Sequence, residues 1–335
     1  MLKTLLITVA LFVGGMASAQ NHKAPAPMYR DPITDGAADP VVFWNHKEQC
    51  WWMFYTQRRA NSETADVAYC YGNPIGVAQS DDNGASWYYR GTLDLDFEPG
   101  HNTFWAPEVV YDRGTYHLFV AYIKGVRNHW GGEAHIMHYT SKDLWNWKLK
   151  GPLQLGSDKV IDLCVMARPD GGWRAWYKDE TDGSSTYMSD SKDLNHWSIG
   201  VPAIPGVACE GQKVFRFKDY YWMLTDEWRG LRLYRSTDLE TWEKQGLILS
   251  GPSDRPDDRP RGGHCDVVVT GEQAYVIYFT HPGRVDDREK MDDNGNLPYV
   301  HRRSSIQCAE LLFKDGTLDC DRSDDFDFYL PDQGK

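Results

Sequence analysis

Beyond the first twenty positions, the apolar residues come in short bursts broken by Gly, Asn and Asp. No later stretch keeps the three-to-four-residue spacing of a long amphipathic helix. Short apolar and aromatic runs between turn residues predict strands, so the pattern is all-β.

The bursts repeat in two registers. One ends in a tryptophan turn: Ser80 to Trp87, Ser141 to Trp147, Ser191 to Trp197 and Ser236 to Trp242. The Ser and Asp side chains of such turns bond nearby backbone, and the Trp packs between sheets, so this register is structural. The second register lies between those turns and opens on Asp39, Glu108, Asp162, Glu210 and His264, spaced 69, 54, 48 and 54 residues apart. After a short turn each copy continues into an aromatic strand: Trp51 to Tyr55, Tyr116 to Phe119, Trp173 to Tyr177, Tyr220 to Leu224 and Tyr275 to Phe279. Five such copies predict a single five-bladed β-propeller over residues 20–335. The fifth copy lacks the Trp turn, so ring closure falls either to Ser305 to Leu311 or to the segment near Met28.

The start of the chain reads differently. Lys3 precedes an apolar run from Leu5 to Val13 that ends at Ala17-Ser18-Ala19, the layout of a secretory signal peptide over 1–19. That run is too short to span a bilayer, so the mature form is expected to be exported, periplasmic or secreted, without a membrane partner. The formal charge of -12 leaves no basic surface for nucleic acid. Seven cysteines at scattered positions leave at least one thiol free and give no zinc spacing. Cys164, Cys209 and Cys265 lie in apolar segments and read as small buried hydrophobes.

In a propeller the innermost strand of each blade runs along the central channel, which would bring Asp39, Glu108, Asp162, Glu210 and His264 to one mouth. One acidic residue at a strand start is ordinarily a turn former. Four at matching blade positions are expensive to desolvate without a use. Glycoside hydrolysis needs two carboxyls on opposite sides of a sugar, one protonated and one ionised, and a third beside the acid raises its pKa.

At these residues the chain resembles glycoside hydrolase family 43, a clan of five-bladed propeller glycosidases. The motifs are Ala38-Asp39-Pro40-Val41, Trp105-Ala106-Pro107-Glu108-Val109, Ile161-Asp162, and Glu210-Gly211 followed by Tyr220 to Leu224. The resemblance spans the mature chain and implies an enzyme cleaving a terminal glycosidic bond of an oligosaccharide or polysaccharide, of arabinofuranosidase, xylosidase or galactosidase type. It implies Asp39 as the general base, Glu210 as the general acid and Asp162 as the residue that tunes the acid, with inversion at the anomeric carbon. It makes His264 the neighbour of a structural calcium or sodium ion on the axis, against the plain alternative of a hydrogen-bonded core histidine; no other cofactor is implied. The chain departs from the family at Gln212, where Pro is common, and at Leu163-Cys164, where Pro and a small residue are common.

Trp105 is the stacking candidate for a sugar face, and Trp130 is a candidate substrate contact. Glu108 and Arg284 are candidate substrate contacts. Arg30-Asp31-Pro32 supplies a second-ranked base. The long polar segments 251–263 and 283–298 are expected to wall the mouth, and Asp292-Asp293-Asn294-Gly295 reads as a turn because the remainder of an EF-hand loop is missing. Three other readings compete: a sialidase, on the Asp-box form of Ser80 to Trp87; a phosphorolytic propeller enzyme; and a sugar-binding propeller without catalysis.

Overall fold

The computed structural model describes residues 22–95, 97–284, 291–293 and 295–333. The signal-peptide segment lies outside the described residues. Among the described residues no helix is long and apolar enough to cross a membrane.

Five antiparallel sheets follow one another along the chain. Blade one comprises Ala37–Asn45, Cys50–Gln57, Ile75–Ser80 and Tyr88–Thr92, and blade two Thr103–Asp112, Thr115–Ile123, His135–Ser141 and Lys148–Pro152. Blade three comprises Val160–Ala167, Trp173–Asp179, Ser185–Ser191 and Val201–Ile204, and blade four Glu210–Phe217, Tyr220–Asp226, Leu231–Ser236 and Glu243–Ile248. Blade five has Cys265–Thr270, Gln273–Thr280 and Ser305–Glu310. The first strands of successive blades pack on one another right round the ring, the fifth against the first. This is the five-bladed propeller expected from the repeats.

Both closure candidates contribute. Ser305–Glu310 is the third strand of blade five, and Tyr29 bridges it from outside, exchanging backbone bonds with Ile306 at 3.1 and 2.9 Å. The N-terminal segment therefore supplies the outer edge of the last blade.

The core lies between blades. Five buried clusters each join the facing sides of two neighbours, the one between blades five and one including Trp51, Tyr55, Tyr275 and Phe279. The aromatic second strands fill these layers, with Trp52, Trp176 and Trp222 fully buried. Each such ring removes roughly 150–250 Å² from water, an upper bound of about 4–6 kcal/mol at ~25 cal/mol per Å². The turn tryptophans reach back one blade: Trp147 meets Phe54, Trp197 meets Phe119 and Trp242 meets Trp176, at centroid distances of 6.2, 5.9 and 6.1 Å. The turns close as their side chains dictate. Ser141 Oγ accepts the Leu144 N–H at 2.9 Å and Asp143 accepts the Asn146 N–H at 2.8 Å, and the Ser191 and Ser236 turns repeat the pattern. All seven cysteines are free thiols.

Candidate active site

Four first strands carry the same irregularity. Two residues face one across the ladder between Ala38 and Val41, Trp105 and Glu108, Ile161 and Cys164, and Glu210 and Lys213. The first residue of each β-bulge has a left-handed backbone: Asp39 at φ 49°, Ala106 at 46°, Asp162 at 59° and Gly211 at 59°. That conformation is unfavourable for any side chain-bearing residue, and a bulge re-aims the side chain that adopts it. In blades one and three the re-aimed residue is an aspartate. Blade four places glycine there and sets Glu210 one position earlier.

This register corrects the sequence expectation for Glu108. Its equivalence to Asp39 came from counting polar strand starts, but registered on the bulge that both strands share, Ala106 takes the matching place and Glu108 stands two residues later. Glu108 lies beyond the bulge, buried below the mouth and away from the cavity lining. It accepts Lys213 Nζ at 2.9 Å, and the same ammonium reaches Asp266 at 2.8 Å. Glu108 also accepts the Val165 N–H at 3.2 Å, and Asp266 the Val42 N–H at 2.6 Å. These contacts draw on all five innermost strands. Glu108 is thus part of an axial ionic clasp, outside the residues that line the cavity.

Above the clasp opens a cavity of about 710 Å³, within the usual range for small-ligand sites. Asp39, Asp162, Glu210, His264, Trp105, Trp130 and Arg284 all line it. The competing base Asp31 does not; it accepts Ile33 N–H, Tyr55 Oη–H and Gln57 Nε2–H and closes a local turn. The 251–263 segment contributes Pro260, Arg261 and Gly263 to the wall, as its length predicted. Asp292 accepts the Asn296 N–H at 2.8 Å, as a turn residue does.

Each carboxylate has specific partners. Arg58 donates to both oxygens of Asp39 at 3.3 Å. Lys178 Nζ is 3.1 Å from Glu210 Oε2 and 3.2 Å from Glu180. Asp162 accepts the Gly211 N–H at 3.0 Å. His264 Nδ1 stands 3.7 Å from Asp39 and 3.9 Å from Asp162, linking the two aspartates. Burial pushes Asp162 up to about 6; His264 and Lys178 oppose the rise, and Glu210 and Asp39 add to it by like-charge repulsion. Burial also drives His281 well below its ordinary value, and the nearby guanidinium groups of Arg284, Arg58 and Arg261 reinforce the shift.

Among the lining residues that the sequence reading did not single out are Arg58, Lys178, Asp226 and Trp228. Asp226 is buried and pairs with Glu210 across the ladder. It accepts N–H groups from Trp228 at 2.7 Å and His264 at 3.1 Å, and Arg261 at 3.3 Å. Burial raises its pKa to about 6, and Glu210 adds to the rise against Arg261, the Trp228 N–H and His264. The available signal was positional: Lys178 and Asp226 are charged residues near the ends of aromatic-rich second strands.

Among the described residues no three His, Cys, Asp or Glu side chains are grouped to hold a metal ion directly. Below His264, the Lys213 ammonium supplies positive charge on the axis between Glu108 and Asp266.

Aromatic surface lines another part of the cavity. Trp105 donates its indole N–H to the Cys70 carbonyl at 2.6 Å, and its ring lies 4.8 Å from Tyr71 and 6.1 Å from Trp130. Trp130 is 57% exposed. Arg284 is anchored by Tyr69 Oη at 3.0 Å and the His301 carbonyl at 2.9 Å.

No family model matches the chain, and no curated protein matches it in sequence. Solved structures match its fold almost end to end. A thermostable family-43 glycoside hydrolase is 21% identical over 90% of this chain and 99% of its own, with a TM-score of 0.67. A GH43 β-1,3-galactosidase determined with galactodeoxynojirimycin is 14% identical over 90% and 97%, with a TM-score of 0.64. A GH43_1 enzyme from Xanthomonas citri complexed with xylotriose is 12% identical over 89% and 93%, with a TM-score of 0.63. The likeness establishes a family-43-like propeller fold.

Proposed function

We propose that this chain is an exported glycoside hydrolase that removes a terminal arabinofuranosyl, xylosyl or galactosyl residue from an oligosaccharide or polysaccharide, with inversion. The observation that carries the reading is the gathering of Asp39, Asp162 and Glu210, remote in sequence, around one cavity of about 710 Å³. Asp39, oriented by Arg58, takes a proton from water as the water oxygen bonds to the anomeric carbon. Glu210, oriented by Lys178, delivers its proton to the departing glycosidic oxygen as the carbon–oxygen bond breaks. Asp162 tunes this exchange from the neighbouring blade, because two close carboxyls resist joint ionisation.

Water is the only co-reactant, and no cofactor is required. The cavity-lining charges balance, with Asp39, Asp162, Glu180, Glu210 and Asp226 against Arg58, Arg127, Lys178, Arg261 and Arg284. Export rests on the leader over 1–19, and N-terminal sequencing of secreted protein starting near Gln20 tests it.

Proton NMR of the first-formed sugar tests the chemistry. A panel of aryl glycosides and plant or algal oligosaccharides identifies the sugar, and the newly released anomer is expected to have the opposite configuration. A retained anomer would remove Asp39 from the water-activating role.

A further inference from the structure

Trp228 is an unusual residue to find on the rim of this cavity. Of the tryptophans among the described residues, only Trp130 and Trp228 are largely exposed, Trp228 at 42%. Its backbone is left-handed, at φ 56°. For a bulky side chain that is a strained conformation, retained only where the surroundings enforce it. Here they do. Asp226 takes the Trp228 N–H at 2.7 Å, and the adjoining Glu227 is gripped by Arg229 at 2.8 Å and Arg232 at 3.0 Å. The turn closes through Glu227 N–H to the Gly230 carbonyl at 3.2 Å. A strained, pinned and exposed indole adds little to the stability of the fold, so its use lies in what it faces.

Its neighbours identify that use. The ring carries the Lys178 ammonium 5.5 Å from its centroid, and Lys178 is the group 3.1 Å from Glu210 Oε2. An acid that protonates a leaving oxygen must stand within hydrogen-bond reach of it. The leaving group is therefore bound on the Glu210 side of the cavity, where the part-exposed indole of Trp228 lines the wall. Trp105 and Trp130 form a separate aromatic group with Tyr71.

We infer that Trp228 is the platform on which the leaving sugar ring of the glycan is held, the residue that makes the enzyme favour such a leaving group over a small alcohol. The inference rests on Glu210 as the acid.

The test compares a methyl glycoside with the homodisaccharide of whichever sugar the wild-type enzyme releases, xylose, arabinose or galactose. Both lose an unactivated alkoxide and need the acid equally; only the disaccharide places a ring on the platform. In Trp228→Gly, which suits the left-handed backbone, the disaccharide-to-methyl ratio of kcat/KM is expected to fall at least five-fold, and Trp228→Tyr to restore most of it. A smaller change in the ratio overturns the platform. Equal losses on both substrates show instead that Trp228 acts only through Lys178 and Glu210. A wild-type enzyme that releases no sugar from the oligosaccharide panel removes the hydrolase reading and this inference with it.

Discussion

Gly211 donates its backbone N–H to Asp162 across the junction of blades three and four, at 3.0 Å. The residue after Glu210 is thereby locked to the neighbouring carboxylate, so the relative placement of the two acids is set by backbone. A Cβ at position 211 would fall 2.7 Å from a His264 ring carbon, on a φ of +59°. Gly211→Ala is expected to cost about 1–2 kcal/mol from the backbone alone. Because a 1 Å misplacement of reacting groups costs about 10²-fold, kcat/KM should fall by about that factor. Urea unfolding and steady-state kinetics on one preparation measure both effects. Full activity in this variant would show that the bulge does not set the carboxylate spacing.

Glu210→Gln is expected to lower kcat on an oligosaccharide by about 10²–10⁴-fold. On a 4-nitrophenyl glycoside, whose phenolate departs with little protonation, the loss should be much smaller. Asp39→Asn should lose activity on both substrates alike, because water activation is needed whichever group departs. Equal losses for Glu210→Gln on the two substrates would take Glu210 out of the acid role.

Asp162 and Asp226 both have folded pKa values raised to about 6, against roughly 3.9 in an unfolded chain. Between those values the folded state holds protons that the unfolded state has released. The contribution of these two groups to stability is therefore fully present below about pH 4 and is lost as the pH rises through about 6. The span is on the order of 3 kcal/mol for each group. Denaturant unfolding of wild type, Asp162→Asn and Asp226→Asn from pH 4 to 7 should show a shallower decline in each variant. A slope unchanged in both would mean that these carboxyls titrate normally.

The propeller itself was legible because its repeat is written in large residues: the Trp turns and aromatic second strands have no alternative but to pack between blades. Asp39, Asp162 and Glu210 reached the cavity as expected, while Glu108 did not. Polar strand starts were matched without the bulge, and registered on it Glu108 falls two residues past the place of Asp39. The prolines carried the missing register, since Pro40 and Pro107 both occupy the second bulge position, where a residue lacking an N–H suits a locally disrupted ladder. Aligned on them, Ala106 falls opposite Asp39. Arg58, Asp226 and Trp228 lie at strand ends and in turns, where only the three-dimensional arrangement shows which way a side chain points.

Lys213→Met should be severely destabilising, because it leaves Glu108 and Asp266 as buried carboxylates without their ammonium. Removing one partner of a buried ionic group costs about 3–5 kcal/mol, which corresponds to roughly 6–20 °C in Tm at about 2–4 °C per kcal/mol. An unchanged Tm in Lys213→Met would contradict the assignment of the axial charge to Lys213.

The bond between Tyr29 and Ile306 joins an early part of the polypeptide to a late one. A ring sealed in that way cannot shut until nearly the whole chain has been synthesised. Blades one to four can each pair their own strands beforehand, but the circle stays open and its last interblade layer exposed. The last interblade layer is therefore completed only when the segments around Tyr29 and Ile306 meet.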